Sequence, residues 1–309
     1  MKELVIISGK GGTGKTSVTA SFAVLAGRAV LADCDVDAAD LHLVLKPDVR
    51  ERHEFRSGHE AIIRAADCIG CGVCRELCRF DAVREQQTDA GSRCVIDPVA
   101  CEGCGLCVRF CPQQAIDFFE RICGEWMVSD TRCGPMVHAR LGVAAENSGK
   151  LVATVRQEAR RIAEEQGRNL VIVDGPPGIG CPVIASLSGA SQVLVVTEPT
   201  VSGEHDLIRV LELTRHFRIP ASICVNKWDL NPEMAERIEN QARAAGAQVA
   251  GRIRYDRAVT RAQIQERAVV EIEAPCGEDI RELWRTLGLQ EAAAQVKTEN
   301  PGDSAHVRG

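Results

Sequence analysis

The sequence has no long apolar run. Its most apolar stretches, such as residues 170–173 and 193–196, fall far short of the roughly 20 residues that span a bilayer. No leader is expected, because Met1-Lys2-Glu3 is followed by only a short apolar stretch before Gly9, too brief for a signal peptide core. A basic excess is missing as well: 37 Lys and Arg face 43 Asp and Glu, for a net charge of −6. That balance excludes a general nucleic-acid binder, whose face must match phosphate. Fifteen cysteines, an odd number, in 309 residues exclude a small disulfide-stapled scaffold and would leave a secreted chain with an unpaired thiol. The expectation is a soluble, cytoplasmic chain whose thiols ligate metal. With 45% apolar and 26% charged residues, it has the composition of an ordinary globular protein, long enough for one large α/β domain or two domains.

Residues 4–8, Leu-Val-Ile-Ile-Ser, form a short β-branched run ending in glycines, the mark of a buried strand that enters a phosphate loop. A helix is predicted over 15–26. Further apolar segments at 29–33, 170–174, 192–197, 221–226 and 248–253 read as central parallel strands. Helical stretches lie between them, one opening at Asn231-Pro232-Glu233 with an N-cap and Pro at the first helical position. Strands alternating with helices predict an α/β fold, a doubly wound and mostly parallel sheet. The alternation breaks where eight cysteines crowd in. This gives a first part of the α/β domain at 1–59, an inserted small α+β module at 60–116, a second part at 117–288 and a disordered tail at 289–309. Residues 121–150 are expected to be only a connection back to the sheet.

Gly9-Lys10-Gly11-Gly12-Thr13-Gly14-Lys15-Thr16 fits the G-x-x-x-x-G-K-[ST] phosphate loop in its required place between strand and helix. Glycines let backbone N–H groups converge on phosphates, and the helix N-terminus adds its positive end. Lys15 is expected on the β and γ phosphates and the Thr16 hydroxyl on Mg²⁺. Asp33-Cys34-Asp35 ends the second strand, and residues 171–178 are an apolar strand running into Asp174-Gly175-Pro176-Pro177-Gly178. Asn226-Lys227-Trp228-Asp229 follows another strand and also reads as the N-K-x-D of GTPases.

The second lysine, Lys10, makes the loop resemble the deviant Walker A of the MinD, ParA and nitrogenase iron protein group. That resemblance implies a P-loop ATPase working as an ATP-dependent homodimer, with Lys10 reaching the partner's nucleotide. It further implies that Asp35 orients the attacking water, with Asp33 and Asp40 as supports. Asp174 would act on Mg²⁺, and Asn226 would contact adenine, favouring ATP over GTP.

Cys68, Cys71, Cys74 and Cys78 form C-x2-C-x2-C-x3-C, and Cys101, Cys104, Cys107 and Cys111 repeat it with a terminal Pro112. Paired C-x2-C also binds zinc, but two copies at this spacing resemble the bacterial two-cluster ferredoxins. In that arrangement the fourth cysteine of each run serves the other cluster. Cluster one would therefore take Cys68, Cys71, Cys74 and Cys111, and cluster two Cys101, Cys104, Cys107 and Cys78, both as [4Fe-4S]. Cys34, Cys94, Cys123, Cys133, Cys181, Cys224 and Cys276 are left without a metal role.

Together the motifs resemble MinD-superfamily ATPases with an inserted ferredoxin domain, related to nitrogenase iron protein and to Mrp-type iron-sulfur carriers. The function this implies is nucleotide-gated electron transfer through two [4Fe-4S] clusters to a redox partner. An iron-sulfur scaffold or carrier and a positioning or partition ATPase are the alternatives. ATP, Mg²⁺ and the two clusters are the expected cofactors, with neither nucleic acid nor membrane as partner.

Overall fold

The computed structural model describes residues 1–88, 91–142 and 148–294. In chain order the strands are β1 (Lys2–Ser8), β2 (Val30–Asp33), β3 (Asp48–Ile63), β4 (Val83–Thr88), β5 (Gly91–Ile96), β6 (Ile116–Thr131), β7 (Gly134–Leu141), β8 (Leu170–Pro177), β9 (Gln192–Thr197), β10 (Ala221–Asn226) and β11 (Gln248–Ile253). The helices are α1 (Lys15–Ala26), α2 (Leu41–Leu45), α3 (Val73–Leu77), α4 (Leu106–Phe110), α5 (Ser148–Glu165), α6 (Cys181–Leu187), α7 (Val201–His216), α8 (Pro232–Ala244), α9 (Ala258–Ile264), α10 (Pro275–Thr286) and α11 (Gln290–Ala294). The chain divides into two compact units. The first comprises Met1–His53, Trp126–Arg140 and the chain from Ser148; the second comprises Glu54–Glu125 and the chain that resumes at Leu141.

In the first unit β1, β2, β8 and β9 are apolar and buried nearly end to end, as strands covered on both faces are. They pair in parallel within the order β11-β10-β9-β1-β8-β2-β7, followed by β6 and β3. This register brings three carboxyl ends together, with Asp33 of β2 opposite Asp174 of β8 and Asp174 opposite Ile6 of β1. α1 ends at Gly27, whose left-handed backbone lets its N–H donate to the Ala23 carbonyl at 3.1 Å, a helix stop that favours glycine. Phe22 of α1 packs against Trp284 of α10, ring centroids 5.1 Å apart. α8 starts as its sequence predicts, the Asn231 side chain accepting from the Met234 N–H at 3.1 Å. Among the described residues no helix is long and apolar enough to cross a membrane.

Two expectations need correction. Residues 121–150 are not a mere connection: they hold the second half of β6, all of β7 and the start of α5. Polar residues disguise these strands because they are partnered inside the fold. His138 is buried against the Ser129 hydroxyl at 2.8 Å. Arg132, in the turn between the strands, donates to the Val44 carbonyl at 2.9 Å and pairs with Glu271. β3 was likewise unforeseen, a highly charged strand in which Arg50 pairs with Asp130 and the His53 ring stacks on Trp126 at 4.0 Å. The tail expectation lies mostly outside the described residues, but its described part is α11, with Leu289 and Ala292 buried in the core.

The second unit repeats itself with an offset of 33 residues. Each half runs from a strand through a cysteine motif with a five-residue helix, α3 or α4, to another strand. Gly70 and Gly72 match Gly103 and Gly105, all with left-handed φ, and Asp81 matches Gln114 with φ of 53° and 50°. The Arg64 N–H donates to the Ala115 carbonyl and the Asp97 N–H to the Ala82 carbonyl, both at 2.8 Å, so each half ties its strand to the other. β4 and β5 form the antiparallel hairpin that joins the halves. The small core pairs Ala61 with Cys94, Ile63 with Ile96 and Val83 with Ile116.

Candidate functional site

The first unit carries a cleft of about 430 Å³ at the carboxyl ends of its strands, a size and place suited to a ligand. Residues 11–17 form one wall. Gly14 cannot carry a side chain: its φ is 87°, and a Cβ there would stand 2.4 Å from the Asn226 amide nitrogen. Gly9 is equally constrained, because a Cβ would come within 2.3 Å of Asp206 Cβ.

Lys15 is buried, with Nζ 3.1 Å from Asp35 Oδ2 and 3.3 Å from Asp174 Oδ1. The Thr16 hydroxyl donates to Asp174 Oδ2 at 2.7 Å and the Thr19 hydroxyl to Oδ1 at 3.0 Å. The Asp35 N–H donates to Asp33 Oδ1 at 3.2 Å. Burial alone would lower the Lys15 ammonium, but Asp174 and Asp35 outweigh it and hold its pKa above the ordinary value. Burial raises the Asp33 carboxyl well above its usual range, Asp174 adds to the rise, and Lys15 opposes it. Burial likewise raises Asp35, against the pull of Lys15. Asp33 Oδ2 and Thr13 Oγ1 are buried without a hydrogen-bond partner. A hydroxyl beside several carboxylate oxygens, one of them orphaned, suits a hard divalent cation such as Mg²⁺, and the glycine-lined wall with Lys15 suits phosphate.

Lys10 lies apart from that centre. Its ammonium donates to Thr200 Oγ1 at 3.2 Å and Ser202 Oγ at 3.1 Å, and stands 3.7 Å from Glu198. Asn226 lines the cleft, but its side chain is engaged: Nδ2 donates to the Thr13 carbonyl at 2.7 Å and Oδ1 accepts from the Lys227 N–H at 3.0 Å. Asp229 Oδ1 accepts the Tyr255 N–H at 2.7 Å. Pro177 and Asp40 also line the cleft, and the Gly178 N–H donates to the Ser8 carbonyl at 2.8 Å. Residues 253–256 and Gln263 form a wall that sequence reasoning missed. The signal available was Tyr255, the only tyrosine, placed just after the last parallel strand.

In the second unit a separate cavity is lined by Cys68, Cys71, Cys74, Cys111 and Cys94. The first four are the set expected for cluster one. Gly70 permits the turn between the first two: its φ is 69°, and a Cβ would stand 2.2 Å from the Ser92 carbonyl oxygen. The Ala115 N–H donates to Cys111 Sγ at 3.3 Å, a contact that suits a thiolate. Five thiols, four of them from the two cysteine motifs, thus line one cavity, and a backbone amide is aimed at one of the sulfurs. Burial first, then contact with Cys94, pushes the Cys74 thiol up to about 12. For the second set, burial raises Cys107, and the thiols of Cys101 and Cys104 raise it further. Cys78 is partly buried and Cys104 exposed. Among the described residues no three His, Cys, Asp or Glu side chains converge as they would on a single metal ion. Of the thiols left without a role, Cys224 is fully buried in β10 and Cys181 is exposed at the start of α6.

The profile of the CobQ/CobB/MinD/ParA nucleotide binding domain matches residues 4–269. The uncharacterized protein MJ0578 of Methanocaldococcus jannaschii is 35% identical over 233 residues, covering 74% of this chain and 79% of its own. A second uncharacterized protein of that organism, MJ0579, is 24% identical and covers 75% of this chain and 83% of its own. Among solved structures, the septum site-determining protein MinD of Pyrococcus horikoshii, complexed with Mg-ADP, superposes with a TM-score of 0.57 at 16% identity, over 96% of this chain and 99% of its own. The cell division ATPase MinD of Pyrococcus furiosus gives 0.55 at 18% identity, over 93% and 98%.

Proposed function

The chain belongs to the CobQ/CobB/MinD/ParA nucleotide-binding family, and on that premise we propose that it binds and hydrolyses ATP and uses the nucleotide state to gate electron transfer through two [4Fe-4S] clusters. The observation that supports this reading is the cavity where Cys68, Cys71, Cys74 and Cys111 meet although they come from both motifs. Cluster two falls to Cys101, Cys104, Cys107 and Cys78 through the 33-residue repeat.

In the nucleotide cleft Lys15 turns from Asp35 and Asp174 to the β and γ phosphates. The Thr16 hydroxyl and Asp174 would hold Mg²⁺, which would neutralise charge on the phosphates. Asp35, released from Lys15, orients the attacking water. Lys10 leaves Thr200, Ser202 and Glu198 to reach the nucleotide of a second copy, adding positive charge where charge develops in the transition state. Asn226 fixes the loop through the Thr13 carbonyl and sits beside the base.

Anaerobic EPR of the reduced protein, with ATP, ADP or no nucleotide, tests the reading. Two interacting [4Fe-4S] signals that shift with ATP are expected; potentials and electron-transfer rates indifferent to ATP would sink it. The exposure of Cys71 and Cys104 favours a second reading, an iron-sulfur carrier, which requires cluster transfer to an apo-acceptor. Sedimentation with liposomes only when ATP is present would instead favour a positioning ATPase.

A further inference from the structure

The first thiol cavity holds one cysteine more than a [4Fe-4S] cluster needs. Cys94 lies on β5, is 4% exposed, and lines the cavity beside Cys68, Cys71, Cys74 and Cys111. Cys74, lining the same cavity, is itself only 8% exposed. The repeat shows that this is peculiar to one half. Thirty-three residues earlier, at the matching core position, stands Ala61, so the half built around Cys107 has a methyl group where the Cys74 half has a sulfur.

Accepting the cluster reading above, we propose that Cys94 is a reserve ligand of the first cluster, able to take the place of Cys74 on its iron. The exchange balances without any electron transfer. The Cys94 sulfur would form an Fe–S bond and give up its proton, and the Cys74 sulfur would lose its Fe–S bond and take up that proton. No outside reagent is needed. The groups are placed for it: both residues line one cavity, both are buried, and β5 is fixed by its ladder with β4, where Cys94 stands opposite Glu85. At the matching position of the other half stands Ala61, which offers no donor atom. The two clusters should therefore differ in their tolerance of losing one ligand, although their motifs are the same.

Single and double alanine variants of the full chain, reconstituted anaerobically with iron and sulfide, test this through iron content and the EPR of the reduced protein. The wild type and Cys94→Ala are expected to hold about eight irons per chain. Cys74→Ala keeps about eight, while Cys74→Ala with Cys94→Ala falls to about four, as does Cys107→Ala. A Cys74→Ala variant that falls to half, like Cys107→Ala, overturns the proposal. Should Cys74→Ala fail to fold, iron release from wild type and Cys94→Ala to a chelator decides instead. A several-fold faster loss of half the iron from Cys94→Ala supports the reserve role, and equal rates refute it. A wild-type chain that takes up no iron overturns the cluster reading itself, and this inference with it.

Discussion

The two units solve the problem of holding ligand-binding groups in opposite ways. In the first, the groups that would meet nucleotide and cation already answer one another: Lys15 lies between Asp35 and Asp174, and Asp174 accepts from Thr16 and Thr19. Around them stands a large core of strands and helices. That unit has every reason to fold without its ligand. In the second, the cluster beneath the cysteine motifs has five buried residues, two of them cysteine, and Ile69, Phe80, Phe110 and Phe119 stand exposed. No cation faces the thiols of the first cavity. A core this small gains little from burial alone, so the proposed clusters would carry part of that unit's stability. On the proposed function, binding is separable from folding in the first unit and not in the second.

The largest expected effect tests that separation from the nucleotide side. Lys15→Ala should lower ATP hydrolysis by about a thousandfold or more, while iron and sulfide per chain stay at the wild-type level; iron lost in parallel would show that the units do not act apart. From the other side, Cys101→Ala should remove about half the iron and leave nucleotide affinity, measured by calorimetry, unchanged.

A smaller effect concerns the charge stored in the first unit. Asp33 holds its proton more tightly folded than unfolded, so it costs the folded state stability once pH rises above the unfolded value of about 4. The cost grows until pH passes the raised folded value and is constant beyond. Asp33→Asn, without nucleotide, should therefore melt higher than wild type at pH 7 to 8, by about 2–4 °C for each kcal/mol recovered. The advantage should vanish near pH 4, and a difference independent of pH would exclude this cause. The smallest effect is purely structural: Asn231→Ala removes the cap of α8 and should lower stability of the first unit by about 1 kcal/mol, read by denaturant titration, with cluster content untouched.

The same contrast explains what could be read from the sequence. β9, β10, β11 and α1 have the predicted bounds because buried parallel strands and a glycine-flanked helix leave strong local patterns. The phosphate loop and cysteine runs were legible because their chemistry fixes residue types at fixed spacing. β3, β6 and β7 were not, since their charged and polar side chains, such as Arg50, Arg132 and His138, find partners far away in sequence. Residues 253–256 were missed for the same reason: only the sheet order brings them to the phosphate loop. The engagement of Asn226 with Thr13 was equally invisible, being a contact between residues some two hundred positions apart.

One small contact has a thermodynamic consequence. The rings of His53 and Trp126, stacked 4.0 Å apart, stand where the chain leaves the first unit and where it returns. To the first unit, residues 54–125 are an insertion whose ends are already pinned side by side. Loop-closure entropy grows only with the logarithm of length, so doubling such an insertion costs about 0.6 kcal/mol. A change in the length of that insertion therefore carries only a small entropic cost for the first unit.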